Sequence, residues 1–282
     1  MKNLILKRGK LFIALLILPV LFITSCSTDD DEGTAPVVVQ LESRTYALGS
    51  VADPTISGEA TFIRNSDDTT TIELELTGTI SDGEHPAILY YDTVAEQNDT
   101  VALDLGIVNG ETGFSTMTTS EFTFSELLDF DGHINVFLDD STLGMNTIVA
   151  QGDIGQNELT GESTIYTLNE VDLPGASGTI SFYERVNGEA LATIELINTP
   201  AGNLLPAHIH MGSVATAPGA IIFSFNEVDG TTGMSMTNVA HLDGDITFFG
   251  YDDVLTVDGY VNVHSQLDLS VLIAQGDIGA ND

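Results

Sequence analysis

The chain has 282 residues and sets 42 Asp and Glu against 7 Lys and Arg, a formal net charge of −35. That excess of carboxylates excludes a nucleic-acid binder and a protein that docks on an anionic membrane surface, because both need clustered Lys and Arg. Hydrophobic residues still make up 43% of the chain, enough to build real cores, so this is no disordered acidic tail.

In chain order the first signal is an address. Lys2, Lys7, Arg8 and Lys10 precede a 13-residue apolar run, Leu11 to Ile23. A membrane-spanning helix needs about 20 apolar residues, whereas a charged start and a short apolar centre make a secretory signal. The run ends Ile23-Thr24-Ser25-Cys26, which resembles a bacterial lipobox; small residues suit the peptidase and the Cys26 thiol is the atom that takes the lipid. Cys26 is the one cysteine, so an internal disulfide is excluded. The expectation is a cleaved signal peptide over 1–25, then a lipidated Cys26 heading an acidic tether over 26–39. The run Ser27-Thr28-Asp29-Asp30-Asp31-Glu32 is similar to the surface-export signal of some outer-membrane lipoproteins. This implies an outer-membrane lipoprotein, held to the membrane by its lipid alone, on the periplasmic face or, favoured by the tether, the cell surface. Without the signal only Arg44, Arg64 and Arg185 face the 42 acidic residues, a net −39. The mature protein thus favours an unknown protein or other cationic ligand over an anionic one.

The rest of the chain repeats itself. Ile148-Val149-Ala150-Gln151-Gly152-Asp153-Ile154-Gly155 recurs as Leu272-Ile273-Ala274-Gln275-Gly276-Asp277-Ile278-Gly279. Asp131–Phe137 matches Asp258–His264, Val108–Gly113 matches Val228–Gly233, and Tyr46-Ala47-Leu48 matches Tyr166-Thr167-Leu168. Four landmarks in one order, at offsets of 120 to 127 residues, define two homologous units, 40–161 and 162–282, joined by a short Glu/Ser/Thr link. Within them, Thr71–Leu76 and Ala192–Leu196 alternate apolar and polar residues with period two, as strands do. Ile221–Phe225, Tyr260–His264 and Val271–Gln275 are further short strands between Gly, Asp and Asn turns, and Ser125–Leu128 and Asp252–Leu255 are the one helical hint in each copy. The expected fold class is all-β, two tandem antiparallel β-sandwiches of immunoglobulin-like or superoxide-dismutase-like type.

Chemistry concentrates in the histidines. Residues two apart on a strand share a face, so His208-Ile209-His210 presents two imidazoles side by side, and His264 on another strand is placed to bring a third. Three imidazoles suit Zn²⁺ or Cu²⁺. Met211 is a candidate soft donor beside them, and His241, in a stretch where the second copy is seven residues longer, is either a fourth ligand or a loop residue. Met234 and Met236 share a face and read first as core packing, otherwise as further thioethers. Paired by sequence, His85 of the first copy stands at His208, Ala87 at His210 and Phe137 at His264, so the first copy lacks the triad. The competing reading makes the three histidines polar strand residues bonded to loop carbonyls.

Ala207-His208-Ile209-His210-Met211-Gly212, followed by Gly259-Tyr260-Val261-Asn262-Val263-His264-Ser265, resembles the CHRD domain, the module repeated in chordin and found in bacterial secreted proteins and lipoproteins. The family's closing Gly-Glu-Ile-Arg-Gly-Gln segment is altered here to Ala274-Gln275-Gly276-Asp277-Ile278-Gly279, without the Arg. The second copy carries the resemblance directly and the first only through its likeness to the second. It implies an extracytoplasmic β-sandwich binding module with no catalytic role. A Cu/Zn superoxide dismutase is comparable at the level of fold alone, and the negative field opposes that activity by repelling superoxide. No HExxH helix and no phosphate loop is present. Asp129-Phe130-Asp131-Gly132 and Asp243-Gly244-Asp245 could donate to Ca²⁺ but lack the distal Glu of an EF-hand, so Ca²⁺ ranks below Cu²⁺ and Zn²⁺.

Overall fold

The computed structural model describes residues 37–96 and 99–282. The expected signal peptide over 1–25, the lipidation of Cys26 and the tether through residue 36 lie outside the described residues.

Alternating sequence builds the first copy. Its strands are β1 (Gln40–Ser50), β2 (Ser57–Asn65), β3 (Thr70–Thr77), β4 (Glu84–Tyr91), β5 (Val101–Asn109), β6 (Phe114–Thr119), β7 (Asp131–Phe137) and β8 (Ile148–Gly155). All pairs are antiparallel, and β8 returns to β1 to close a barrel in the order β1-β2-β3-β6-β5-β4-β7-β8. Closure leaves no unpaired edge along the barrel wall. On β3 the residues Ile72, Leu74 and Leu76 point into the core while Glu73 and Glu75 point outward. Helix α1 (Phe124–Leu128) plugs one end with Phe124 and Leu127. It starts on a capping box, in which Thr123 and Glu126 satisfy each other's backbone N–H groups.

The second copy repeats the plan with β9 (Leu159–Glu170), β10 (Ser177–Arg185), β11 (Ala190–Ile197), β12 (Leu204–Leu205), β13 (Ala207–Met211), β14 (Ile221–Ser224), β15 (Val228–Asp229), β16 (Met234–Val239), β17 (Asp258–His264) and β18 (Leu272–Gly279), with α2 (Tyr251–Val254) at one end. Its order, β12-β15-β16-β11-β10-β9-β18-β17-β13-β14, is the first copy's cyclic order opened at one point. The strand that matches β5 is broken there into β14 and β15. At the break Asn226 replaces ladder bonds with its own: its N–H donates to Thr237 Oγ1 (2.9 Å), and its Nδ2 donates to Met236 O (2.7 Å) and to Ala95 O of the first copy (3.1 Å). The all-β, antiparallel class expected from periodicity is what the chain forms, and the two short helices fall on the expected segments. Residues 162–164, read from sequence as a link, are part of β9.

The copies are tied through Arg185, which is 1% exposed at the end of β10. Its Nη1 donates to Asp153 Oδ2 of β8 (2.7 Å) and to Asn157 O, and its Nε donates to Asn238 Oδ1 (2.9 Å). Asp153 Oδ1 in turn accepts from Val94 N (2.8 Å).

Two expectations from sequence are corrected. Met234 and Met236 are exposed, not core residues; on β16 it is Ser235 and Thr237 that are buried. The second correction concerns alignment. β13 pairs Ala207 with Val263 and His210 with Tyr260, while β4 pairs Ala87 with Val136 and Tyr90 with His133. Since β7 and β17 correspond residue for residue, Ile88 stands at His208 and Tyr90 at His210, and His85 stands at Leu205. Matching His85 to His208 follows residue identity over the shared Pro86 and Pro206, and an odd shift of three would turn every core residue of the strand outward.

Candidate metal centre

In the second copy the alternation that sends Ala207, Ile209, Val261 and Val263 into the core sends His208, His210, Tyr260, Asn262 and His264 to the outer face of β13 and β17. His210 and His264 are four register positions apart along the strands, yet their rings lean together. Ring centroids lie 5.9 Å apart for His208 and His210, 5.4 Å for His208 and His264, and 6.0 Å for His210 and His264. One nitrogen from each ring falls within 4.8 Å of the others. Among the described residues this is the one grouping of three His, Cys, Asp or Glu side chains so disposed. Two nitrogens at about 2.1 Å from one ion stand at most about 4.2 Å apart, so loading would draw the rings in by about an ångström.

The rings are held by carbonyls from two loops. His210 Nδ1 meets Gly219 O at 3.0 Å, and His264 Nδ1 meets Leu269 O at 2.7 Å. A carbonyl only accepts, so in both rings Nδ1 carries the proton and, in the neutral form, Nε2 keeps its lone pair. A backbone carbonyl fixing one nitrogen while the other faces its neighbours is how metal-ligating histidines are oriented. The Nε2 of His210 and the Nδ1 of His208 are buried and have no hydrogen-bond partner. Burial holds the His208 and His264 imidazoles below the ordinary histidine value, and the neighbouring rings add to the effect. Neutral rings with free lone pairs are the form that binds a metal.

The loop carrying Gly219 is itself pinned. The ring of Tyr260 stacks on His210 (centroids 5.1 Å, 17° between planes), and its hydroxyl accepts from Gly219 N at 2.8 Å. Met211 N donates to Ala220 O (2.9 Å) and Val214 N to Asp277 Oδ1 (2.7 Å). A Cβ on Gly219 would sit 1.9 Å from Met211 O, so only glycine lets the carbonyl come this close to His210. On the other side of His208, Ser224 donates through N (3.1 Å) and Oγ (2.6 Å) to the two carboxylate oxygens of Asp243, whose charge favours protonation of His208.

The remaining candidates lie elsewhere. Met211 ends β13 on the alternate face and is exposed, and Met234 and Met236 are on β16, which is not paired with β13 or β17. His241 is an exposed loop residue whose Nδ1 donates to Thr247 O (3.2 Å) and which bridges to Phe248. The acidic turns spend their carboxylates on protein donors: Asp243 on Ser224, Asp245 on Thr247, and Asp131 on Asn157. Tyr260 and Asn262 are visible in sequence as part of one strand motif, but nothing in the sequence marks Gly219 or Leu269 as ring holders.

The first copy has Ile88, Tyr90 and Phe137 where the triad stands. It also exchanges the stacked pair: Tyr90 takes the place of His210, and His133 the place of Tyr260, with the rings again at 17° and 5.4 Å apart. His133 Nδ1 donates to Asp92 O (2.9 Å), and His85 is wholly buried with Nδ1 on Phe137 O (3.2 Å). No family model matches the chain, nor does any curated protein or solved structure.

Proposed function

We propose that the second copy binds one transition-metal ion, Cu²⁺ or Zn²⁺, through His208, His210 and His264. The observation that carries this reading is the convergence of three imidazoles, two with Nδ1 committed to backbone carbonyls and two presenting buried nitrogens that have no protein partner. Unpaired buried polar atoms are rare and costly, and three imidazole nitrogens gathered this closely are a donor set that a borderline cation satisfies. The role is binding, not catalysis: a strongly acidic surface attracts cations and repels anionic substrates such as superoxide. Together with the resemblance to CHRD modules and the lipobox-like start, this makes the protein a lipid-anchored envelope module that captures metal outside the cytoplasm.

The test is equilibrium dialysis of the chain without residues 1–25 and with Cys26→Ser, loaded with Cu²⁺ or Zn²⁺. One metal per chain is expected, lost in His208→Ala, His210→Ala and His264→Ala and kept in His85→Ala. Occupancy below about 0.2 per chain at micromolar protein overturns the reading.

A further inference from the structure

The triad shares its face with a fourth polar group. Asn262 is 7% exposed on the outer face of β17, flanked at two residues' distance by Tyr260 and His264 and directly opposite His208 in the β13 register. Its Oδ1 is buried and accepts no hydrogen bond. Leaving a buried amide oxygen unpaired is costly, and here the unpaired oxygen shares a face with the unpaired His208 Nδ1 and His210 Nε2. The amide oxygen and His210 Nε2 are both acceptors without a donor, an arrangement that a cation or a proton donor among them would satisfy.

The first copy separates the asparagine from its surroundings. Asn135 holds the same register position, opposite Ile88, and its Oδ1 is also without a partner. It lines a cavity of about 360 Å³ with His133, Gln151 and Asp99, and its Nδ2 lies 3.4 Å from His133 Nε2. The asparagine therefore belongs to the fold in both copies, and only in the second does it share its face with three histidines.

We infer that Asn262 supplies the fourth protein donor, completing a set of three imidazole nitrogens and one amide oxygen around the ion. The inference rests on the metal reading above and deepens it. A weak oxygen donor joining three imidazoles is a combination that copper accepts, since copper tolerates a weak, distant axial ligand that includes amide oxygen.

The experiment compares Cu²⁺ binding and the Cu²⁺ EPR spectrum of the wild type, Asn262→Leu, Asn262→Asp and Asn135→Leu. Asn262→Leu is expected to weaken Cu²⁺ about tenfold and alter the copper hyperfine pattern, because one donor is lost. Asn262→Asp restores an oxygen, so it is expected to bind at least as tightly as wild type with its own altered spectrum. Asn135→Leu leaves both readouts unchanged. Equal affinity and an identical spectrum in Asn262→Leu overturn the inference, as does weakening by Leu and Asp alike with the spectrum unchanged, which marks a structural role. A wild type that takes up Zn²⁺ but no Cu²⁺ overturns this inference alone, whereas one that takes up neither overturns the metal reading itself before any variant is compared.

Discussion

The same outer face occurs twice in this chain, and the two versions differ at four of its five positions, three of them the triad's. In the first copy β4 and β7 present Ile88, Tyr90, His133, Asn135 and Phe137; in the second β13 and β17 present His208, His210, Tyr260, Asn262 and His264. Both keep an imidazole stacked flat on a phenol, with the partners exchanged between strands. The stack and the asparagine are therefore features of the scaffold, and the scaffold folds without a triad. What the second copy adds is imidazole at three outward positions, together with loops whose carbonyls aim them. It is this added cluster, and not the partnerless buried atoms alone, that sets the second copy apart, since His85 Nε2 and Asn135 Oδ1 of the first copy are also buried without a partner.

A second difference lies at the end of the second strand of each copy, where Asn65 corresponds to Arg185. Asn65 donates within its own copy, to Thr69 Oγ1 and Thr71 Oγ1 (2.9 Å each), whereas Arg185 reaches across to Asp153. Removing the guanidinium leaves the nearly buried Asp153 carboxylate without a counter-charge, with only Val94 N still donating to it, so Arg185→Met is expected to lower stability by about 3–5 kcal/mol. Asn65→Leu should cost roughly 1–2 kcal/mol, since only neutral hydrogen bonds are lost. Urea titration of both variants checks this, and the double variant Arg185→Met/Asp153→Leu should recover much of the loss. If Arg185→Met costs no more than Asn65→Leu, the arginine is not the tie between the copies.

The next largest effect falls on the triad. His210→Ala should weaken metal binding by at least about 100-fold, close to 3 kcal/mol, while Tyr90→Ala at the matching site leaves it untouched. Isothermal titration with Cu²⁺ or Zn²⁺ measures both, and equal responses would erase the asymmetry between the copies. A smaller effect is expected one step out. Tyr260→Phe keeps the stacked ring but removes the acceptor for Gly219 N, loosening the carbonyl that orients His210. The loss should be about fivefold in affinity, the worth of one hydrogen bond, and Tyr90→Phe should show none.

Much of this contrast is legible in the sequence alone. Period-two runs such as Thr71–Leu76 place their own strands, and the recurring Ala-Gln-Gly-Asp-Ile-Gly places the copies, because alternation and repetition are local properties of sequence. Three outward histidines can be assembled from the spacing His208-Ile209-His210 and the distant strand ending in His264. Closure of the first copy into a barrel is not legible there, because it depends on β8 finding β1 about a hundred residues away. Nor is the aim of the rings, since Gly219 and Leu269 act through backbone oxygens that any residue type possesses. The misaligned His85 shows the same limit from the other side: a shared residue type misleads where the cross-strand register, fixed by which side chains must enter the core, does not.

Acid should separate the copies by the smallest margin. Burial first, and neighbouring imidazoles second, hold His208 below the ordinary histidine value; burial likewise leads for His264, against the raising effect of its bond to Leu269 O. In the unfolded chain both rings titrate near about 6.5. Above that pH neither state is protonated and the pair contributes nothing to the pH dependence. As the pH falls through it, the unfolded chain takes up protons that the folded one resists, so folding stability declines with falling pH until the folded rings titrate as well. Both rings are half-exposed, so solvent screens much of this and the decline is modest. His208→Gln/His264→Gln should therefore flatten the urea midpoint between pH 7.5 and pH 5 relative to the metal-free wild type. Metal should flatten it too while it stays bound, because an ion on the lone pairs competes with the proton for the same nitrogens. A wild type whose midpoint rises as the pH falls over that range, with the double variant unchanged, would mean the rings are favoured as cations, and a pair of cationic imidazoles is no place for a metal.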